Sequence, residues 1–262
     1  MQDVPLWLTY LISISFGLVV GSFLNVVILR LPRSESLVRP GSRCPGCQTP
    51  IRWYDNLPVF SYLLLLGKCR KCKQKISIQY PIIEILTAIL FLAVRMRLGW
   101  SPVLFFRHWP FVSLLVATAF IDLEHRIIPD VFSLGGLLLG LVTSFAVPEF
   151  GLFGAITGSF LGFFSFYSLA WMYQRFAGRV GLGGGDIKLL AMLGAFLGPS
   201  GVFATIFISS ILGSLVGLVC AVVTKNKSIM KFSIPFGPFL VVGALYYYLL
   251  GDLLWFQFTI PT

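Results

Sequence analysis

The stretch Gly181–Lys188 reads GLGGGDIK and runs on into the apolar segment Ile187–Leu197, interrupted only by Lys188. An acid, Asp186, therefore stands at the mouth of a hydrophobic helix. A carboxylate in that setting is costly to place and marks a functional position by default. Gly183, Gly184 and Gly185 before it carry no Cβ, which lets another backbone approach and opens φ values closed to other residues. A second acid, Asp122, ends another apolar run in FIDLEHRIIPD. Two carboxylates brought into one site share a proton, one serving as base and the other as acid, and such a pair activates water.

The surrounding chain is membrane-like. Of 262 residues 57% are hydrophobic and only 11% charged, against about a quarter charged in soluble domains. The composition predicts an all-α polytopic membrane protein. The first span is Leu6–Leu29, too long for a signal-peptide core and without a basic start. Further spans fall near 81–98, 102–121, 131–147, 151–173, 187–198, 201–223 and 236–257, about eight transmembrane helices in all. Several are near or below the ~20 residues that cross a bilayer, and 187–198 is short enough to be re-entrant. The predicted division is 1–29 as first helix, 30–80 as a small cytoplasmic insertion, and 81–262 as the main transmembrane part.

Charge supports that topology. Net charge is +10, and ten of the 20 Lys and Arg lie between Arg30 and Lys75, against only Glu35 and Asp55. With an outside N-terminus, Arg126, Arg175, Arg179, Lys225, Lys227 and Lys231 also fall on inside loops, whereas the outside loops offer little beyond Arg97 and Glu149. This is the positive-inside pattern. It puts Asp122 and Asp186 at the same, cytoplasmic, membrane face. No stacking motif or nucleic-acid fold signature accompanies the basic residues, so membrane lipid is an expected partner and nucleic acid is not.

The insertion holds CPGC at Cys44–Cys47 and CRKC at Cys69–Cys72. Two C-x-x-C pairs at this separation fit a four-thiolate zinc site. Thiols inside the cell stay reduced, which argues against disulfides, and so small a segment lacks a core of its own, which metal binding offsets. Cys220 sits in an apolar span as a small core residue. Between the pairs, RWYDNLP (52–58) is either the hairpin joining two zinc knuckles or a polar presentation to a ligand.

Other polar residues within the spans are Ser22 and Asn25, read as bonding a neighbouring helix, and Glu84, which faces either the bundle interior or the interface. Asp130 after Pro129 reads as a helix N-cap. Gly154, Gly158 and Gly162, and again Gly213 and Gly217, are spaced for close helix packing. IPFGPFL (234–240) breaks the chain at a span entrance, as a plain loop or as a wall of the site.

Taken together, GSFLNVVILRLP (21–32), the paired CPGC and CRKC, WYDNLP, DLEHRIIPD, GGGDIKLLAMLGAFLG and IPFGPFL resemble the bifunctional type IV prepilin peptidases over about Gly21 to Leu240. One departure is Leu29, where that family usually has an aromatic or His before the arginine. The resemblance implies an inner-membrane aspartic endopeptidase that removes the basic leader of prepilins and type II secretion pseudopilins on the cytoplasmic side. It further implies N-methylation of the new terminal residue with S-adenosylmethionine. Carried over by motif, Asp122 and Asp186 are the catalytic pair and Cys44, Cys47, Cys69 and Cys72 the zinc ligands. Gly184, Gly185 and Lys188 lie beside the site. The segment around 21–80 hosts methyl transfer, with Gly21, Asn25, Arg30 and Glu84 marking the region expected to hold the donor. A proton- or ion-coupled transporter is the rival class, disfavoured because both acids sit at a membrane edge rather than the midplane.

Overall fold

The structure is a computed structural model describing residues 4–147, 151–178, 181–224 and 235–251. Arg179, Lys225, Lys227, Lys231, Glu149 and Ile234, and the end of the last expected span, lie outside the described residues. The described residues form helices α1 (Leu6–Arg30), α2 (Phe60–Leu64), α3 (Gln79–Leu98), α4 (Trp109–His125), α5 (Asp130–Val142), α6 (Gly151–Ala177), α7 (Gly184–Thr224) and α8 (Gly237–Leu250). The only β pairing among them is two isolated bridges, Arg43 with Pro50 and Lys68 with Lys75. In lipid each segment must satisfy its own backbone groups, and helices do so locally. The chain is an all-helical polytopic membrane protein.

Contacts divide it into two compact units, Met1–Ala117 and Thr118–Thr262. In the first, α1 and α3 pack backbone to backbone. A Cβ on Gly17 would lie 2.6 Å from Ala88 Cα, and one on Gly21 would lie 2.6 Å from Glu84 Cα. Asn25 Nδ2 donates to the Tyr80 carbonyl of α3 (3.1 Å) and to Gly21 O (3.2 Å), a between-helix bond of about 0.6 kcal/mol. At the far end Arg95 is buried and donates to Thr9 Oγ1 (3.0 Å), its guanidinium over the Tyr10 ring. Trp109, at the start of α4, stacks on Phe91 of α3 at 5.0 Å.

In the second unit α6 and α7 approach closely through small residues. Gly158 faces Gly194 so closely that a Cβ on either would lie within 2.4 Å of the other's backbone, and a Cβ on Gly162 would lie 2.4 Å from Leu190 O. The close-packing role expected of Gly158 and Gly162 is therefore observed, whereas Gly217 faces open space.

The run α7 is two helices rather than one. A straight helix of its 41 residues is about 60 Å long, twice the ~30 Å hydrocarbon thickness. Gly198 (φ 69°, ψ −177°) followed by Pro199 interrupts it, a backbone conformation open to glycine. Contacts show that the chain reverses there. Gly201 lies against Tyr247, Gly243 against Thr205 and Gly213 against Phe236, so the second half of α7 runs antiparallel to α8. This matches the two spans expected at 187–198 and 201–223. The first half begins at Gly184, three residues earlier than expected, so two of the three glycines lie inside the helix.

Candidate active site and thiolate cluster

Four helix ends converge at one end of the second unit. Asp122 lies in the last turn of α4, buried at 5% exposure, rather than in the loop that follows. A helix C-terminus disfavours negative charge. That disadvantage is offset from across the unit: the Gly237 backbone N–H, at the N-terminus of α8, donates to Asp122 Oδ2 at 2.9 Å. Within the motif IPFGPFL, Gly237 therefore lines the candidate site. Pro235 and Pro238 flank the glycine, and a Cβ on Gly237 would meet the Asp122 carboxylate at 2.6 Å.

Asp186 stands in the first turn of α7, where the helix dipole favours an acid. Its carboxylate lies within electrostatic reach of Asp122. The structure thus brings together the two acids that the sequence singled out. Gly183, Gly184 and Gly185 all have negative φ, so conformational freedom is not what their lack of Cβ supplies. A Cβ on Gly185 would press Ile128 at 3.0 Å, while Gly184 faces open space. Lys188 Nζ bonds Asp130 Oδ1 at 2.7 Å and ties the start of α7 to the start of α5. The expected N-cap role of Asp130 is corrected here. Pro129 occupies the cap position, Asp130 is the first helical residue, and its side chain makes no cap bond. It is drawn instead to a full cation.

In the first unit, Cys44, Cys47, Cys69 and Cys72 converge with their Sγ atoms all within 4.8 Å of one another. Cys44–Cys72 is 3.7 Å and Cys47–Cys69 is 3.9 Å. A tetrahedral ion with ~2.3 Å metal–sulfur bonds has S–S edges of about 3.8 Å, so the cluster is the right size to hold a metal ion. The two knuckles are near copies. In each, the residue after the second cysteine is left-handed (Gln48 φ 55°, Lys73 φ 61°), and the first cysteine's N–H bonds the carbonyl two residues beyond the second. The thiols respond to one another. Thr49 lowers Cys47 to about 6 through its side chain and backbone. Cys72 is pushed up to about 11, because the Gln74 backbone bond that opposes the rise is outweighed by burial and the three neighbouring thiols. Brought this close, four cysteines would be favoured as thiolates only with a cation between them.

Within the RWYDNLP segment lies a 3-10 turn, Trp53–Asn56, whose Asp55 accepts three bonds from Arg70 of the second knuckle (2.6, 2.9 and 3.2 Å). It ties to the second knuckle as a 3-10 turn rather than as the hairpin that one of the two readings expected. The four residues expected near the methyl donor are also located. Gly21 packs against α3, Asn25 bridges to Tyr80, and Arg30 donates to the carbonyls of Ser36, Pro40 and Gly41. Glu84 is buried with Ser22 beside it, and its Oε2 accepts the Val59 N–H at 2.7 Å. Sequence reasoning missed Val59 and assigned Gly237 only to a motif. For Val59 no sequence signal exists, since a β-branched residue gives no hint of positive φ.

The fold and site define a polytopic helical membrane protein with paired acids at one end of its second unit and a four-cysteine insertion after its first helix. Residues 15–98 match the family model for the bacterial peptidase A24 N-terminal domain, and residues 109–218 match that of the type IV leader peptidase family. The chain is 38% identical over 269 residues to the prepilin leader peptidase/N-methyltransferase of Neisseria gonorrhoeae, covering 91% of this chain and 90% of that one. It is 38% identical over 252 residues to the type 4 prepilin-like proteins leader peptide-processing enzyme of Escherichia coli, covering 87% and 89%. The prepilin leader peptidase/N-methyltransferase of Myxococcus xanthus is 41% identical over 224 residues, 84% of this chain but 65% of that longer protein. No solved structure matches. The chain belongs to the type IV leader peptidase family.

Proposed function

We propose that this chain is an aspartic endopeptidase of the bacterial inner membrane that cleaves the basic leader from prepilins and pseudopilins at the cytoplasmic face. The new N-terminal residue is then N-methylated with S-adenosylmethionine. The observation that carries the peptidase reading is the convergence of Asp122 and Asp186 at one end of the second unit, with the Gly237 N–H on one of them. One carboxylate, ionised, takes a proton from a water held between the pair. The other, neutral, hydrogen-bonds the scissile carbonyl, the water oxygen attacks the carbon, and the amine departs with a proton. Gly184, open on its outer side, leaves room for a substrate backbone drawn out of helical form.

The domain reading takes 1–29 as the first transmembrane helix, 30–80 as the cysteine-bearing insertion associated with methyl transfer, and 81–262 as the peptidase part, with the donor region spanning about 21–80 and reaching Glu84 at the start of α3. A bound S-adenosylmethionine supplies an electrophilic methyl on a cationic sulfonium. Glu84 is the buried acid among the described residues of the first unit and suits that charge. Gly21, Asn25 and Arg30 shape its surroundings through their backbone and loop contacts. Zinc in the Cys44, Cys47, Cys69 and Cys72 cluster is structural: it holds the two knuckles and, through Arg70 and Asp55, the turn between them. The cytoplasmic orientation is supported by the basic residues of 30–80.

The test is leader release from a prepilin-like substrate with a basic leader, Gly and Phe, followed by mass in detergent with S-adenosylmethionine present. The unmodified chain is expected to cleave after Gly and add one methyl. Asp122→Ala and Asp186→Ala are expected to do neither. Cleavage by either variant at the parent rate overturns the pairing.

A further inference from the structure

The insertion between α1 and α3 is built inside out. In the segment from Trp53 to Gly67, the polar side is turned inward. Ser61 is buried, donating to the Tyr54 carbonyl (2.9 Å) and accepting the Leu57 N–H (3.0 Å). The apolar side is turned outward: Trp53, Phe60, Leu63, Leu64 and Leu66 are exposed, Leu64 and Leu66 by more than 80%. A water-soluble segment of this size shows the opposite arrangement, and a contiguous apolar patch on such a surface marks an interaction site. The spans themselves expose their leucines in the same way, as Leu138 of α5 does.

The patch is tied to the second turn of α3. Val59, which precedes α2, has φ 62° and ψ −51°, and the Phe60 N–H bonds the Pro58 carbonyl at 2.6 Å across it. This is a γ-turn, a strained conformation for a β-branched residue. The Val59 N–H is held by Glu84, which lies five residues into α3, or about 7 Å along its axis. The start of α2 is thus held beside the second turn of α3 rather than at its tip. Beyond the patch, Lys68, Lys71, Lys73 and Lys75 are exposed and Arg70 is half-exposed. An apolar, aromatic face beside a basic rim matches the headgroup boundary of an anionic bilayer.

We infer that the Trp53–Leu66 face is a membrane-docking surface, seated in the headgroup and outer acyl region of the same bilayer that α1 and α3 cross, with the second knuckle against anionic headgroups. The inference rests only on α1 and α3 spanning a membrane, not on either proposed activity.

The test places a photo-reactive benzoylphenylalanine at Leu64, and separately at Leu66, in the full-length zinc-loaded protein in vesicles of phosphatidylethanolamine and phosphatidylglycerol. Leu138 serves as a lipid-facing control, with products read by mass. The expected result is a mass gain of one phospholipid at 64 and 66, as at 138. Replacing phosphatidylglycerol by phosphatidylcholine, or Lys68 and Lys71 by Gln, is expected to lower the yield at 64 and leave 138 unchanged. Labelling at 138 with no lipid adduct at either 64 or 66 overturns the inference. So does an adduct to a prepilin substrate or a second copy of the chain in place of lipid.

Discussion

The Gly237 backbone N–H donates to Asp122 Oδ2 at 2.9 Å, joining the N-terminus of α8 to the last turn of α4. The bond fixes one acid of the pair relative to that helix. Gly237→Ala puts a Cβ 2.6 Å from that oxygen and must displace the carboxylate. A misplacement of about 1 Å costs on the order of 100-fold in rate. Steady-state cleavage kinetics are expected to show that loss in kcat with KM little changed, and an unchanged kcat would remove Gly237 from the site.

Asp122→Asn and Asp186→Asn each preserve size while removing the acid–base function. Each is expected to lower cleavage by at least about 100-fold, and the double variant no further than the worse single one, because the acids act as a unit. Methylation of a pre-cleaved substrate is expected to survive in all three, measured by transfer of labelled methyl. Its loss would contradict the separation of the activities.

Lys188 and Asp130 tie the first turns of α7 and α5 together at 2.7 Å. An exposed pair contributes only about 0–1 kcal/mol to stability, so thermal unfolding should barely move in Lys188→Asp or Asp130→Lys. Cleavage is expected to fall about tenfold in each single variant, since Asp186 lies two residues from the tie in the same first turn of α7, and to recover in the charge-swapped double variant. Absence of recovery would assign Lys188 a direct role with substrate.

Metal removal should act on the insertion alone. A chelator strong enough to strip a four-thiolate site is expected to expose Arg52 and Lys68 to trypsin, and zinc or cobalt to restore protection, with cobalt giving the absorption of a tetrahedral thiolate site. Cys44→Ser should reproduce the chelated state. Peptide cleavage by Asp122 and Asp186 is expected to persist in part.

The close approach of α6 and α7 offers a stability test. In Gly158→Ala the new Cβ meets Gly194 O at 2.4 Å, and both partners are backbone. Overpacking of this kind costs about 1–3 kcal/mol, expected as a lowered unfolding temperature in detergent. Gly217→Ala, facing open space, is expected to leave it unchanged.

The sequence by itself determined the class and the parts. Apolar runs of bilayer length can only be helices, since each must satisfy its own backbone in lipid. Paired C-x-x-C spacing pointed to one thiolate site, and basic loops put both acids on one face. Those are properties of local composition. The tertiary structure decided which parts meet: Asp122 with Gly237 rather than with a neighbour in sequence, Asp130 with Lys188 rather than its own helix end, Glu84 with Val59. Only contacts on both sides of Gly198 showed that α7 turns back on itself. Such meetings depend on how closely backbones can approach, and that is set by the shapes of two faces at once. No periodicity in either segment records it.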